Sequence, residues 1–257
     1  MPQFESYAQG APCYIELTTP DREAARRFYS ALFGWNVVDV PVDDQGNSYL
    51  TAELQGDVVA GIGGQLPEDA GKPAFWGVFL AVDDVDEAAE LVELAGGTLE
   101  AAPFDVMDLG RMAAVVDPTG ARINFWQAKT MVGTARASEP CSPIWNELTT
   151  PDPSLAAEFY VDVLDLATET SEIGGTTYTT LATDGGSIAG VVPPMVEGIP
   201  PHWSVYFNVK DVDGTVADVA DLGGRIISGP FDVPDVGRMA VVSDPQGGMF
   251  ALMADLD

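Results

Sequence analysis

Apolar and polar positions alternate over residues 13–18, the period of a strand with one buried face. The pattern then changes. Asp21 reads as a helix N-cap, Ala24, Ala25, Phe28, Tyr29 and Leu32 share a face at helical spacing, and Gly34 marks the stop. Three short β-rich segments follow near 36–40, 48–54 and 57–63. A strand at 75–82 leads into a second helix over 84–95, which Gly96 and Gly97 end. Three more strands run to Gln127. The order βαβββ–βαβββ in about 120 residues predicts an α+β fold, with helices on one side of curved sheets and a concave cup on the other.

The same pattern then starts again. Thr18-Thr19-Pro20-Asp21 recurs as Thr149-Thr150-Pro151-Asp152, and Phe28-Tyr29 as Phe159-Tyr160. Tyr49 matches Tyr178, Gly61 matches Gly190 and Trp76 matches Trp203. The segment 105–112, ending Gly110-Arg111-Met112, matches 232–239, ending Gly237-Arg238-Met239. Asp117-Pro118-Thr119-Gly120 matches Asp244-Pro245-Gln246-Gly247. Ordered matches along the whole chain, with small deletions in loops, mean duplicated modules. We place the first at 1–128, a polar, small-residue linker at 129–140, and the second at 141–257.

Charge narrows the function. The chain carries 11 Lys plus Arg against 40 Asp plus Glu, a formal net charge of -29. Such a surface repels phosphate backbones and anionic membranes, so neither nucleic acid nor membrane is an expected partner. No apolar run reaches the length of a span, and the first ten residues lack a secretory apolar core, so a cytoplasmic protein is expected. Cys13 and Cys141 form no CxxC and read as packing residues.

The element order, the Phe-Tyr pair on the first helix and the closing Asp-Pro-x-Gly hairpin, each present twice, resemble the vicinal-oxygen-chelate (glyoxalase/bleomycin resistance/dioxygenase) superfamily. Tyr14-Ile15-Glu16-Leu17-Thr18-Thr19 and Trp145-Asn146-Glu147-Leu148-Thr149-Thr150, with the two Gly-Arg-Met segments, look most like its two-module actinobacterial glyoxalase-like or hydroxylase-like members. The resemblance implies tandem modules, each of two βαβββ units around a cup. It also implies metal ligands from four strands per module in the members that do metal chemistry. The matching positions here are Tyr14, about Gly61, Gly77 and Asn124, then Trp145, about Gly190, Ser204 and Ala251. A divalent transition metal needs several nitrogen, thiolate or carboxylate donors. The chain has a single histidine. We therefore expect no metal and no other cofactor.

Side chains two apart on a strand share a face. Tyr14 thus brings Glu16 into the first cup, Gly77 brings Phe79, and Asn124 brings Trp126. In the second cup Trp145 brings Glu147, Ser204 brings His202 and Tyr206, and Ala251 brings Met253. Aromatic walls with a few polar groups suit a small organic ligand. Glu16 and Glu147, assisted by His202, are the candidate acid–base groups; the alternative is that these carboxylates only accept hydrogen bonds. Arg111 and Arg238 are candidate clamps for an anionic group, or else ion pairs that pin their turns to Asp105 or Asp108 and to Asp232 or Asp235. Trp76 and Trp203 fall on the opposite face and read as core.

Three functions remain open. The first is metal-independent binding of a small organic molecule in an aromatic cup. The second is a metal-free enzyme of proton-abstraction, isomerase or lyase type using Glu16 or Glu147. The third is a structural or interaction role with the cups filled by Trp126, Trp145 and Tyr206. A monomer with pseudo-twofold modules or a homodimer fits each.

Overall fold

The structure, a computed structural model, describes residues 4–42, 48–173 and 175–254. In the first half, strand β1 (Pro12–Thr19) is followed by helix α1 (Arg22–Phe33), β2 (Asn36–Pro41), β3 (Ser48–Leu54) and β4 (Asp57–Gly64). Then come β5 (Phe75–Ala81), α2 (Val85–Leu94), β6 (Thr98–Val106), β7 (Gly110–Val116) and β8 (Arg122–Ala128). The second half repeats this as β9 (Pro143–Thr149), α3 (Pro153–Leu164), β10 (Ala167–Ile173), β11 (Thr176–Thr183) and β12 (Gly186–Val192). It ends with β13 (His202–Asn208), α4 (Val212–Asp221), β14 (Arg225–Val233), β15 (Gly237–Ser243) and β16 (Met249–Ala254). Each half forms one 8-stranded sheet, ordered β2-β3-β4-β1-β5-β8-β7-β6 and β10-β11-β12-β9-β13-β16-β15-β14. The fold is the α+β tandem the sequence implied.

Local chemistry explains the helix ends. Asp21 Oδ1 accepts from the Ala24 N–H at 2.9 Å, and Gly34 takes a left-handed φ of 70° that returns its N–H to Ser30. Asp152 caps α3 in the same way, with Pro153 at its first position. That helix ends on Asp165 at φ 53°, a left-handed turn that a short polar side chain tolerates.

The two sheets share one core. Phe33, Trp35 and Trp76 of the first half meet Phe207 of the second with ring centroids 5.0, 5.5 and 5.3 Å apart. Two buried hydrogen-bonded chains cross the contact in pseudo-symmetric fashion. The Trp76 indole donates to the Tyr29 hydroxyl at 3.2 Å, which donates to Asp244 at 3.0 Å. Trp203 donates to Tyr160 at 3.0 Å, which donates to Asp117 at 3.1 Å. The Asp of each Asp-Pro-x-Gly hairpin therefore receives the first-helix tyrosine of the other half.

The segment 129–140 is an ordered strap across the mouth of the first sheet. Thr134 N–H bonds the Cys13 carbonyl at 2.7 Å, and Ala135 N–H bonds Val58 at 2.8 Å. Gly133, at φ 123°, lies so close that a Cβ would come to 2.1 Å of the Cys13 oxygen. Arg136 ties the strap to Asp57 and bonds Glu139 within the strap itself. No described helix is long and apolar enough to cross a membrane.

Candidate functional site

Strand register puts equivalent residues side by side in both concave faces. Glu16 pairs across β4 with Gly61 and across β5 with Gly77, while Tyr14 pairs with Phe79. Glu147 pairs with Gly190 and Ser204, while Trp145 pairs with Tyr206. Phe79 neighbours Asn124 as Tyr206 neighbours Ala251.

Each cup is organised around its one carboxylate. In the first, the Tyr49 hydroxyl donates to Glu16 and lies 3.2 Å from the Tyr14 hydroxyl. Burial pushes the Glu16 carboxyl above its ordinary pKa, and the Tyr49 bond opposes that shift. In the second, Tyr206 donates to Glu147 at 2.8 Å, and the Trp145 indole donates to the neighbouring Tyr178 hydroxyl at 2.9 Å. Burial raises the Glu147 carboxyl too; the Tyr206 and Tyr178 hydroxyls and nearby His202 work against it.

The cups differ in how full they are. Tyr14, Phe79 and Trp126 are buried with Cys13 in one cluster, against which Tyr7, Met112 and strap residue Met131 pack. The Trp126 N–H is spent on the Met131 carbonyl at 2.9 Å, and Asn124 donates to Val78 at 3.3 Å. Tyr14, Phe79 and Trp126, expected to line a binding surface, are instead packed against one another, while Asn124 stays half-buried. Trp145, Glu147, His202, Ser204 and Tyr206 line a cup that stays partly exposed. His202 shares the face of Ser204, with Nδ1 2.9 Å from the Pro200 carbonyl.

Arg111 and Arg238 do not enter either cup. Gly110 and Met112 take the concave face of β7, so Arg111 between them points to the helix side. There it holds Asp86 of α2 with two bonds of 2.8 and 2.9 Å and lies 3.5 Å from Asp105. Arg238 holds Asp213 of α4 and bonds Asp232 at 2.7 Å. The expectation of an anion clamp is corrected by strand parity, and the partners reached first are the first-turn aspartates of the helices.

The positions implied for metal ligands do not suit a metal. A Cβ on Gly61 would come to 1.7 Å of the Tyr49 hydroxyl, and one on Gly190 to 2.0 Å of the Tyr178 hydroxyl. The space a fourth-strand carboxylate needs is thus taken by a phenol. Among the described residues no group of three or more His, Cys, Asp or Glu converges. One carboxylate held by tyrosines lacks the several donors a transition metal requires. Tyr49 and Tyr178 are the site residues that sequence reasoning missed. The signal was a tyrosine repeated at matched places, twelve residues before a repeated glycine.

A cleft of about 500 Å³ opens instead between the halves, lined by Phe33, Leu54, Cys141, Val209 and Lys210 among others. The Cys141 thiol in it is pushed up by burial, which suppresses the reactive thiolate, and Phe33 is the one aromatic residue in its lining.

A family model described as the Glyoxalase/Bleomycin resistance protein/Dioxygenase superfamily matches residues 13–125 and 144–252. The chain is 42% identical over 255 residues to CFP32 of Mycobacterium tuberculosis, a protein named as a glyoxylase, with 98% of each chain covered. It is 35% identical over 260 residues to the anthracycline biosynthesis protein DnrV of Streptomyces peucetius, covering 96% of this chain and 94% of that one. Among solved structures it resembles the Mn(II)-bound glyoxalase of Novosphingobium aromaticivorans. The TM-score is 0.64 at 18% identity, over 98% of this chain and 84% of that one. The 2,3-dioxygenase LapB of Pseudomonas sp. KL28 gives 0.62 at 17%, over 96% and 93%.

Proposed function

The chain belongs to the glyoxalase/bleomycin resistance protein/dioxygenase superfamily, and within it we propose that this protein binds a small aromatic molecule in its second cup without a metal. One observation carries the reading. Trp145, Tyr178 and Tyr206 surround the Glu147 carboxylate on a face that stays partly open, while the equivalent face of the first half is plugged. Rigid aromatic walls with one oriented polar group are the usual make-up of a ligand site. The tyrosine hydroxyls that stand over Gly61 and Gly190 support the metal-independent form. The relatives named for anthracycline biosynthesis are in keeping with a flat aromatic ligand.

Fluorescence tests this directly. Trp145 is the only one of the five tryptophans that is not buried. A ligand in the second cup should quench it in protein stripped with EDTA, and Trp145→Phe should remove the response. Quenching that appears only after a divalent ion is added would refute the reading.

A second reading is favoured by the raised pKa of Glu147. A carboxylate that prefers its proton is a stronger base once ionised, so Glu147 would remove a proton from a bound ligand, with His202 on the same face to pass it to solvent. Glu147→Gln separates the two. It should leave binding within a few-fold in a pure binder, and abolish turnover in an enzyme.

A further inference from the structure

The duplicated halves hold one site in two states of filling, and the filled one describes what the open one takes. In the first, the Trp126 indole lies against Gly110, where a Cβ would come to 2.3 Å of the ring. It stands edge-on to Phe79, with centroids 6.4 Å apart and planes at 85°. Met112 faces it across the β7–β8 pair. The second half repeats the wall and omits the indole. Met239 replaces Met112 in the same register, Tyr206 replaces Phe79, and Met253 stands where Trp126 does, while Gly237, in the place of Gly110, lies against the Ala254 carbonyl. Ala251 likewise replaces the larger Asn124. Phe79 and Trp126 are 7% and 6% exposed, whereas Tyr206 and Met253 are left partly open.

Resting on the cup-binding reading above, we infer that the second cup accepts a flat bicyclic aromatic molecule, bearing a hydroxyl or N–H, where the first keeps its own indole. The hydrogen-bond direction follows from Tyr206. Its hydroxyl proton is committed to Glu147 at 2.8 Å, so toward the cup the oxygen presents only lone pairs. A ligand there is recognised through a donor. Edge-to-face packing on Tyr206 and contact with Met239 and Met253 sulfur supply the apolar part.

The test uses three probes and calorimetric titration of the full chain. 2-Naphthol is flat and carries a donor, 2-methoxynaphthalene is flat without one, and decahydro-2-naphthol has the donor without flatness. 2-Naphthol should bind best, the methoxy compound at least about tenfold more weakly, and the saturated alcohol without saturation. Met253→Trp rebuilds the indole of the first half and should cut 2-naphthol affinity more than tenfold at unchanged melting temperature. Should that variant misfold, Tyr206→Phe serves, because Phe79 occupies the equivalent place. It should bring 2-naphthol down to the methoxy level. Equal affinity for the saturated alcohol, or full binding in both variants while Trp145 still reports a ligand, would overturn the inference and leave the cup reading standing. Failure of every probe to bind or to perturb Trp145 would remove both.

Discussion

At the residue scale the protonation of the two cup glutamates leaves a signature in stability. The folded pKa of Glu16 is raised above its ordinary value of 4.5 by burial. The stabilising contribution is then complete below pH 4.5 and is lost as pH rises through the raised value. Glu16→Gln keeps an acceptor for Tyr49 and removes the charge. Its melting temperature relative to the parent should therefore climb between pH 4.5 and pH 8 in thermal melts. A difference that falls over that range would contradict the burial argument. The glycines beneath the tyrosines make a second test. Gly61→Ala should destabilise by about 1–3 kcal/mol through overpacking, because a Cβ there would come to 1.7 Å of the Tyr49 hydroxyl, which Glu16 and Tyr14 both hold in place. Gly190→Ala should cost less, since Tyr178 can swing into the open cup, and urea titrations of both variants would rank them. The tyrosines also show what the sequence hides. Alternation placed Glu16 and Glu147 on the concave face. Nothing local said that Tyr49 and Tyr178, from strands two places away in the sheet, would reach over a glycine to meet them.

At the element scale, caps and strand parity decide which side chains meet. The N-cap Asp21 and the Gly34 stop were legible because they act within a few residues. The partners of Arg111 and Arg238 were less so, since Asp86 and Asp213 each lie 25 residues earlier in the chain. Both pairs are exposed, so Arg238→Ala should lower the melting temperature slightly, lose that effect in high salt and leave ligand binding unchanged. A loss of affinity for an anionic ligand would restore the clamp. The chains through Tyr29 and Tyr160 are buried and matter more. Tyr29→Phe strands the Trp76 N–H in the core and removes a donor from Asp244, a loss of about 1–3 kcal/mol by urea unfolding. No change would mean that the bond adds nothing beyond shape.

At the scale of the whole molecule, duplication made most of the fold readable and hid the difference in filling between the two cups. The repeated motifs gave two sheets and their helices, but they predicted two alike cups. The asymmetry comes from Trp126 standing in the first half where Met253 stands in the second, and from the strap at 129–140, whose Met131 and Gly133 pack on the first cup through contacts that composition alone does not reveal. Because Phe33, Trp35 and Trp76 pack on Phe207, the halves should unfold in one transition, and residues 141–257 alone should not melt cooperatively. The most direct test of the account is a crystal structure of EDTA-treated protein soaked with 2-naphthol. It should show one ligand per chain, its ring packed on Tyr206, Met239 and Met253 and its hydroxyl on the Tyr206 oxygen, with the first cup still closed by Trp126. A ligand in the first cup, or a divalent ion coordinated beside Glu147 when metal is supplied, would contradict it.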